Sequence, residues 1–136
     1  MADIVPPLVL ITYCGDNSEP GAKILNLGRE LLPENAVTAC RTLRELSEAL
    51  KQAGTKLVLI AVKDGEELEE IISLKDWLDG QPIVMILPEE QTEKAPRLMT
   101  RALRLYPKYI SNSRRFTDVT LVLKKIIHNH NHGGTL

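Results

Sequence analysis

Aromatic residues are scarce in this chain, with one Trp, three Tyr and one Phe among 136 residues. That scarcity counts against a flavin site, which needs rings to flank the isoalloxazine, and against stacking on nucleobases. Cysteine is nearly absent too, with only Cys14 and Cys40. The opening "MADIVPPLVLITYCGDN" has neither the basic start nor the long apolar run of a signal peptide. Two cysteines without a secretory signal imply free thiols in a reducing compartment, so a cytoplasmic location is expected. No apolar run approaches the roughly 20 residues that span a bilayer, so no membrane association is expected. Net charge is only -1, which removes any bulk electrostatic pull toward nucleic acid or anionic lipid.

What is present is a regular alternation. Hydrophobic residues make up 43% and charged residues 26%, a balance that suits one compact domain with its own core. Leu8 to Tyr13 is an apolar run of strand length. From Ser18, Ile24, Leu25, Leu27, Leu31 and Leu32 recur at helical spacing, with Ser18 as N-cap and Pro20 in the first turn. Val37 to Arg41 reads as a second strand. Thr42 and Glu45 have capping-box spacing, and Leu43, Leu46, Ala49 and Leu50 form the apolar face of the helix they open; Gly54 stops it.

Leu57 to Val62 is apolar throughout, as expected of a parallel strand covered on both faces. Asp64 and Glu67 repeat the capping box. A third helix then buries Leu68, Ile71, Ile72 and either Trp77 or Leu78, and ends at Gly80. Pro82 to Leu87 is a fourth strand. Leu98, Met99, Ala102 and Leu105 mark a fourth helix, Tyr109 to Ser111 a fifth strand, and Val119, Val122, Leu123, Ile126 and Ile127 a last helix. Five strands alternating with helices predict an α/β, flavodoxin-like doubly wound five-stranded parallel sheet of order 2-1-3-4-5, with helices on both faces. Residues 1–127 form the expected domain and 128–136 a flexible C-terminal tail.

In such a sheet, sites lie at the carboxyl ends of the strands. The order and spacing of the elements resemble the response-regulator receiver family of two-component signalling, with local likeness in "TKLVLIAVKDGEELEEI", "QPIVMILP" and "RRFTDVTLVLKKII". That resemblance implies an acidic pair after strand 1 for Mg²⁺, a phospho-acceptor aspartate ending strand 3, a Ser or Thr ending strand 4 and a Lys ending strand 5. The chemistry requires them, because a hard cation wants carboxylate oxygens and the developing phosphoryl charge wants metal and ammonium.

Here Thr12 and Tyr13 stand at the acidic pair, Ala61 at the acceptor and Leu87 at the Ser/Thr position. Asn112 stands at the Lys position by strand counting, or Arg114 by anchoring on Phe116. The expectation is therefore a degenerate pseudo-receiver with no phosphoryl chemistry, no metal and no cofactor. Asp64 reads as a helix cap rather than a displaced acceptor.

Two further patterns stay open at this level. Cys14, followed by "GDNSEP", resembles the nucleophile of phosphocysteine transferases and small tyrosine phosphatases, but Asp16 and Glu19 and the lack of an Arg disfavour a phosphate loop. Cys14 and Cys40, near the ends of neighbouring strands, read either as two inert thiols or as a redox pair. Charge is divided: residues 66–79 carry six acids against one lysine, and residues 94–115 carry seven bases and no acid. Arg97, Arg101 and Arg104 share one helical face. With Lys108, Arg114 and Arg115 they form either a solvated surface or a docking face. By the receiver resemblance, the helix 4–strand 5–helix 5 face would take an acidic protein partner or a second copy; nucleic acid is not expected, since no aromatics interleave these bases. His128, His130 and His132 lie in the tail as flexible ligands without a fixed geometry.

Overall fold

A computed structural model of the chain describes residues 8–15, 19–52, 54–87, 95–111 and 117–131. Its strands are β1 (Leu8–Cys14), β2 (Val37–Cys40), β3 (Thr55–Ala61), β4 (Ile83–Ile86) and β5 (Tyr109–Ser111). They form one parallel sheet in the order β2-β1-β3-β4-β5, the flavodoxin-like arrangement that the alternation predicts. The helices are α1 (Glu19–Leu31), α2 (Leu43–Leu50), α3 (Gly65–Ile72), α4 (Lys75–Leu78), α5 (Ala95–Ala102) and α6 (Thr117–Asn131).

Strand alternation divides the core into two layers. Leu10, Leu57, Leu59 and Val84 face α1 and α6, where Ile24, Leu27, Val119, Leu123 and Ile127 meet them. Ile11, Val58, Ile60 and Met85 face α2 to α5 and pack against Leu46, Leu68, Ile71, Leu78, Leu98 and Ala102. Leu57 to Ile60 have no exposed surface, which explains why β3 is apolar at both parities from Leu57 to Ala61. Burying each such side chain stabilises the fold by about 2 kcal/mol.

Both expected caps form. The Thr42 Oγ1 accepts from the Glu45 N–H at 3.1 Å, and Asp64 Oδ1 accepts from the Glu67 N–H at 2.9 Å. In each case the reciprocal glutamate overshoots the cap by one residue. It accepts instead from the Arg41 N–H (3.4 Å) or the Lys63 N–H (2.8 Å). Ser18, expected to cap α1, lies outside the described residues.

Two element boundaries differ from the sequence expectation. The third helix is broken into α3 and α4, with Ser73 and Leu74 in the turn between them. The break lets Leu78, only 1% exposed, enter the core, while Trp77 remains 46% exposed; Leu78 is thus the core member of the Trp77–Leu78 alternative. The last helix, expected to reach about His128, continues to Asn131 and carries His128 and His130. His130 follows Ile127 by three positions, on the inward stripe, and is buried.

Candidate functional site

The carboxyl end of the sheet is where a ligand would enter, beside the switch point between β1 and β3. Register places Cys14 level with Ala61, and Ala61 level with Ile86. These three side chains belong to the layer facing α1 and α6. Ala61 is 6% exposed, so its methyl group is covered where the receiver resemblance implies a carboxylate. Thr12 and Tyr13 pair with Leu59 and Ile60, two and one residues short of this level, and both are buried. Leu87 is buried in the opposite layer, its N–H bonded to the Ser111 carbonyl at 2.7 Å. The carried-over positions are therefore not gathered into one pocket. Asn112 lies outside the described residues.

One polar group that reaches this end is Glu67. Its carboxylate leaves α3, accepts from the Lys63 N–H and, more weakly, from the Tyr13 hydroxyl at 3.5 Å. A Cβ at position 15 would stand 2.7 Å from Glu67 Oε2, so a side chain there would make the carboxylate shift. Burial raises the Glu67 pKa above the ordinary carboxylate value, with the Lys63 N–H acting against the rise and Asp64 adding to it. Burial also pushes the Tyr13 hydroxyl well up, and the adjacent Glu67 charge pushes it further. Sequence alone marked Glu67 only as a capping partner. Its second contact depends on Tyr13 facing α3, which the strand parity sets.

Between β5 and α6, the Tyr109 hydroxyl donates to Asp118 Oδ2 at 2.8 Å. Burial alone would raise the Asp118 pKa. Hydrogen bonds from the Ser111 and Tyr109 side chains and from backbone N–H groups outweigh it and hold the carboxyl below its usual value. Asp118 is thereby fixed as a carboxylate in the first turn of α6, where the helix dipole also favours it.

The two cysteines are separated by the sheet. Cys40 pairs with Tyr13 across β1–β2 and lies in the layer under α2; Cys14, one residue on, turns to the α1–α6 side. A disulfide needs converging Cβ vectors, so alternation opposes the redox pair although the strands are neighbours. Burial, with Glu45 adding to it, pushes the Cys40 thiol up to about 11, leaving almost no thiolate near neutral pH. Asp16 lies outside the described residues.

The basic helix of the sequence is α5, and it packs beside the acidic α3. Arg101 Nε stands 3.4 Å from Glu69 Oε1, each side chain about half exposed. The two opposite charge runs thus meet within the chain, and Arg101 is partly committed there. Arg104 and Lys108 are exposed on the adjoining turn and loop. The Arg97 side chain, Arg114 and Arg115 lie outside the described residues. So does His132, and among the described residues no group of three or more His, Cys, Asp or Glu is placed to hold a metal. Nor is any described helix long and apolar enough to cross a membrane.

Compared with known proteins, the chain matches no family model, no curated protein and no solved structure. The fold and the local chemistry are what any functional reading has to rest on.

Proposed function

We propose that this chain is a receiver-like regulatory domain of a bacterial cytoplasm that acts by protein–protein contact and transfers no phosphoryl group. The observation that carries the reading is the end of β3. There the buried methyl of Ala61 lies between Cys14 and Ile86 in register, and an alkyl group offers no nucleophile. Glu67 fills the neighbouring space above Gly15 with a carboxylate that is already hydrogen-bonded. An incoming phosphate dianion would meet that charge at short range.

The partner surface in this reading is the face made by α5, β5 and α6. Arg104 and Lys108 are exposed, and Arg101 also contacts Glu69. An acidic partner or a second copy of the chain would be recognised there.

Titration with BeF₃⁻ and Mg²⁺, followed by ¹H–¹⁵N NMR, is expected to leave the Ala61 and Asp64 amides unmoved. Saturable shifts clustered at those residues would reject the reading. The Arg104→Glu, Lys108→Glu double variant is expected to lose self-association in sedimentation velocity or the binding of a co-purified acidic partner. Unchanged association in both assays would reject the proposed face while leaving the first result standing.

A further inference from the structure

Lys56 is an unusual residue for the inside of a parallel sheet. It is the second residue of β3, pairs with Val9 of β1, and shares its side of the sheet with Val58 and Ile60. Only 6% of it is exposed. Its ammonium has three donors, yet among the described residues its hydrogen-bond partner is the Gly54 carbonyl at 3.4 Å, the long limit for such a bond. No carboxylate of the described residues forms an ion pair with it. A buried charge is costly unless a counter-charge or good acceptors meet it.

The side chain lines a cleft of about 550 Å³ between α2 and the β1–β2 margin, a size ordinary for small-molecule sites. Val9, Ile11 and Ala49 give this cleft apolar lining; Asn35, Thr38 and Gln52 give it polar groups. Glu45 and Glu48 also border it, but both are exposed and already engaged. Glu45 accepts from the Arg41 N–H and the Thr42 hydroxyl, and Glu48 pairs with Arg44 Nε at 3.4 Å. The inner charge of the cleft is therefore the Lys56 cation.

We propose that this cleft binds a small organic carboxylate with an apolar body, whose head pairs with the Lys56 ammonium while its tail lies against Val9, Ile11 and Ala49. A single ammonium balances a monoanion. A phosphate dianion would leave one charge uncompensated facing two glutamates, and it would gain nothing from the apolar wall. The cleft lies on the α2 side of the sheet, in the layer opposite Cys14, Ala61 and Ile86, although Cys40 at the end of β2 also lines it; it does not depend on the reading given to those three residues.

The test uses the full chain and three probes of one length: pentanoate, pentan-1-ol and pentylammonium, titrated by ¹H–¹⁵N NMR. Pentanoate is expected to give saturable shifts clustered at Val9, Ile11, Ala49 and Lys56, with the alcohol and the amine about tenfold or more weaker, since a charge-assisted hydrogen bond is at stake. Lys56→Met should abolish the preference for the carboxylate, and Glu48→Gln, which removes a screened like charge, should tighten pentanoate by roughly twofold. Equal binding of alcohol and carboxylate overturns the proposal, as does tighter binding of the amine or the lack of any clustered, saturable shift. If Lys56→Met fails to fold, the three probes on the unaltered chain and on Glu48→Gln still decide.

Discussion

The two ends of this sheet are built from different chemistry. At the carboxyl end, where helices begin, the side chains level with one another are Cys14, Ala61 and Ile86, and the Asp64 carboxylate is spent on capping α3. At the amino end, where helices finish, the chain turns through left-handed backbone at Gly54 (φ +116°), Gly80 (φ +81°) and Tyr106 (φ 51°). All three line a cleft of about 510 Å³ with Asp79 and Lys108. Lys75 lies 5.7 Å above the Tyr106 ring and Lys51 lies 5.0 Å above Trp77, so two of the chain's few aromatic residues are outside the core at this end. The contrast teaches that a shared architecture does not preserve where polar groups are placed. Where a doubly wound sheet usually does chemistry, the described side chains level with one another are here Cys14, Ala61 and Ile86 rather than carboxylates.

That contrast breaks most directly at Ala61. Ala61→Asp introduces a carboxylate at a position only 6% exposed, level with Cys14 and Ile86, where no described residue is placed as its counter-charge. It is expected to lower stability by about 3 kcal/mol or more at neutral pH, read from the urea midpoint, with a smaller loss at acid pH where the new carboxyl is neutral. A stable, fully folded Ala61→Asp chain would mean that this end is wetter and more polar than described.

Next in size are the turns and caps. Gly80→Ala places a Cβ on left-handed backbone and should cost about 1 kcal/mol, although nothing within 4 Å would touch it. Asp64→Ala should cost about 1 kcal/mol through the lost cap, whereas Asp64→Asn should cost only a fraction of that, because Asn also caps well. Equal losses in the two Asp64 variants would point to a role for the charge itself.

The smallest effect is at Glu67. Its pKa is raised in the folded protein, chiefly by burial. The folded state therefore holds this proton more tightly than the unfolded chain does. The carboxyl adds most to stability below its unfolded pKa, and that contribution is lost as pH rises through the folded value. Glu67→Gln keeps an acceptor for the Lys63 N–H and carries no charge. Relative to the unaltered chain it is expected to be similar at low pH and increasingly favoured as pH rises, by thermal unfolding at a series of pH values. A constant difference across pH would show that Glu67 is solvated.

Sheet order and most elements were legible in the sequence because the apolar spacing switches cleanly from strand to helix period, and because Thr42 and Asp64 announce two helix starts. The break at Ser73–Leu74 was hidden, since the apolar spacing runs on through it to Leu78. Strand register was hidden as well: it is a long-range property, and it alone places Cys14 rather than Thr12 or Tyr13 level with Ala61. The cysteines looked like neighbours in strand order, but parity sends them to opposite layers. Lys56 did carry a signal, a lone charge within "TKLVLI" at the same parity as Val58 and Ile60, and weighing parity residue by residue would have marked it as inward.

The edges of the sheet have a consequence for the protein at high concentration. The inner strands β1 and β3 are seven residues long and the inner β4 four, and the bordering β2 and β5 have only four and three. A border that short offers few unpaired peptide groups to another chain. Sheet-to-sheet growth into fibrils should nucleate poorly from the native state, and aggregation of this protein is expected to require prior opening of the apolar β3.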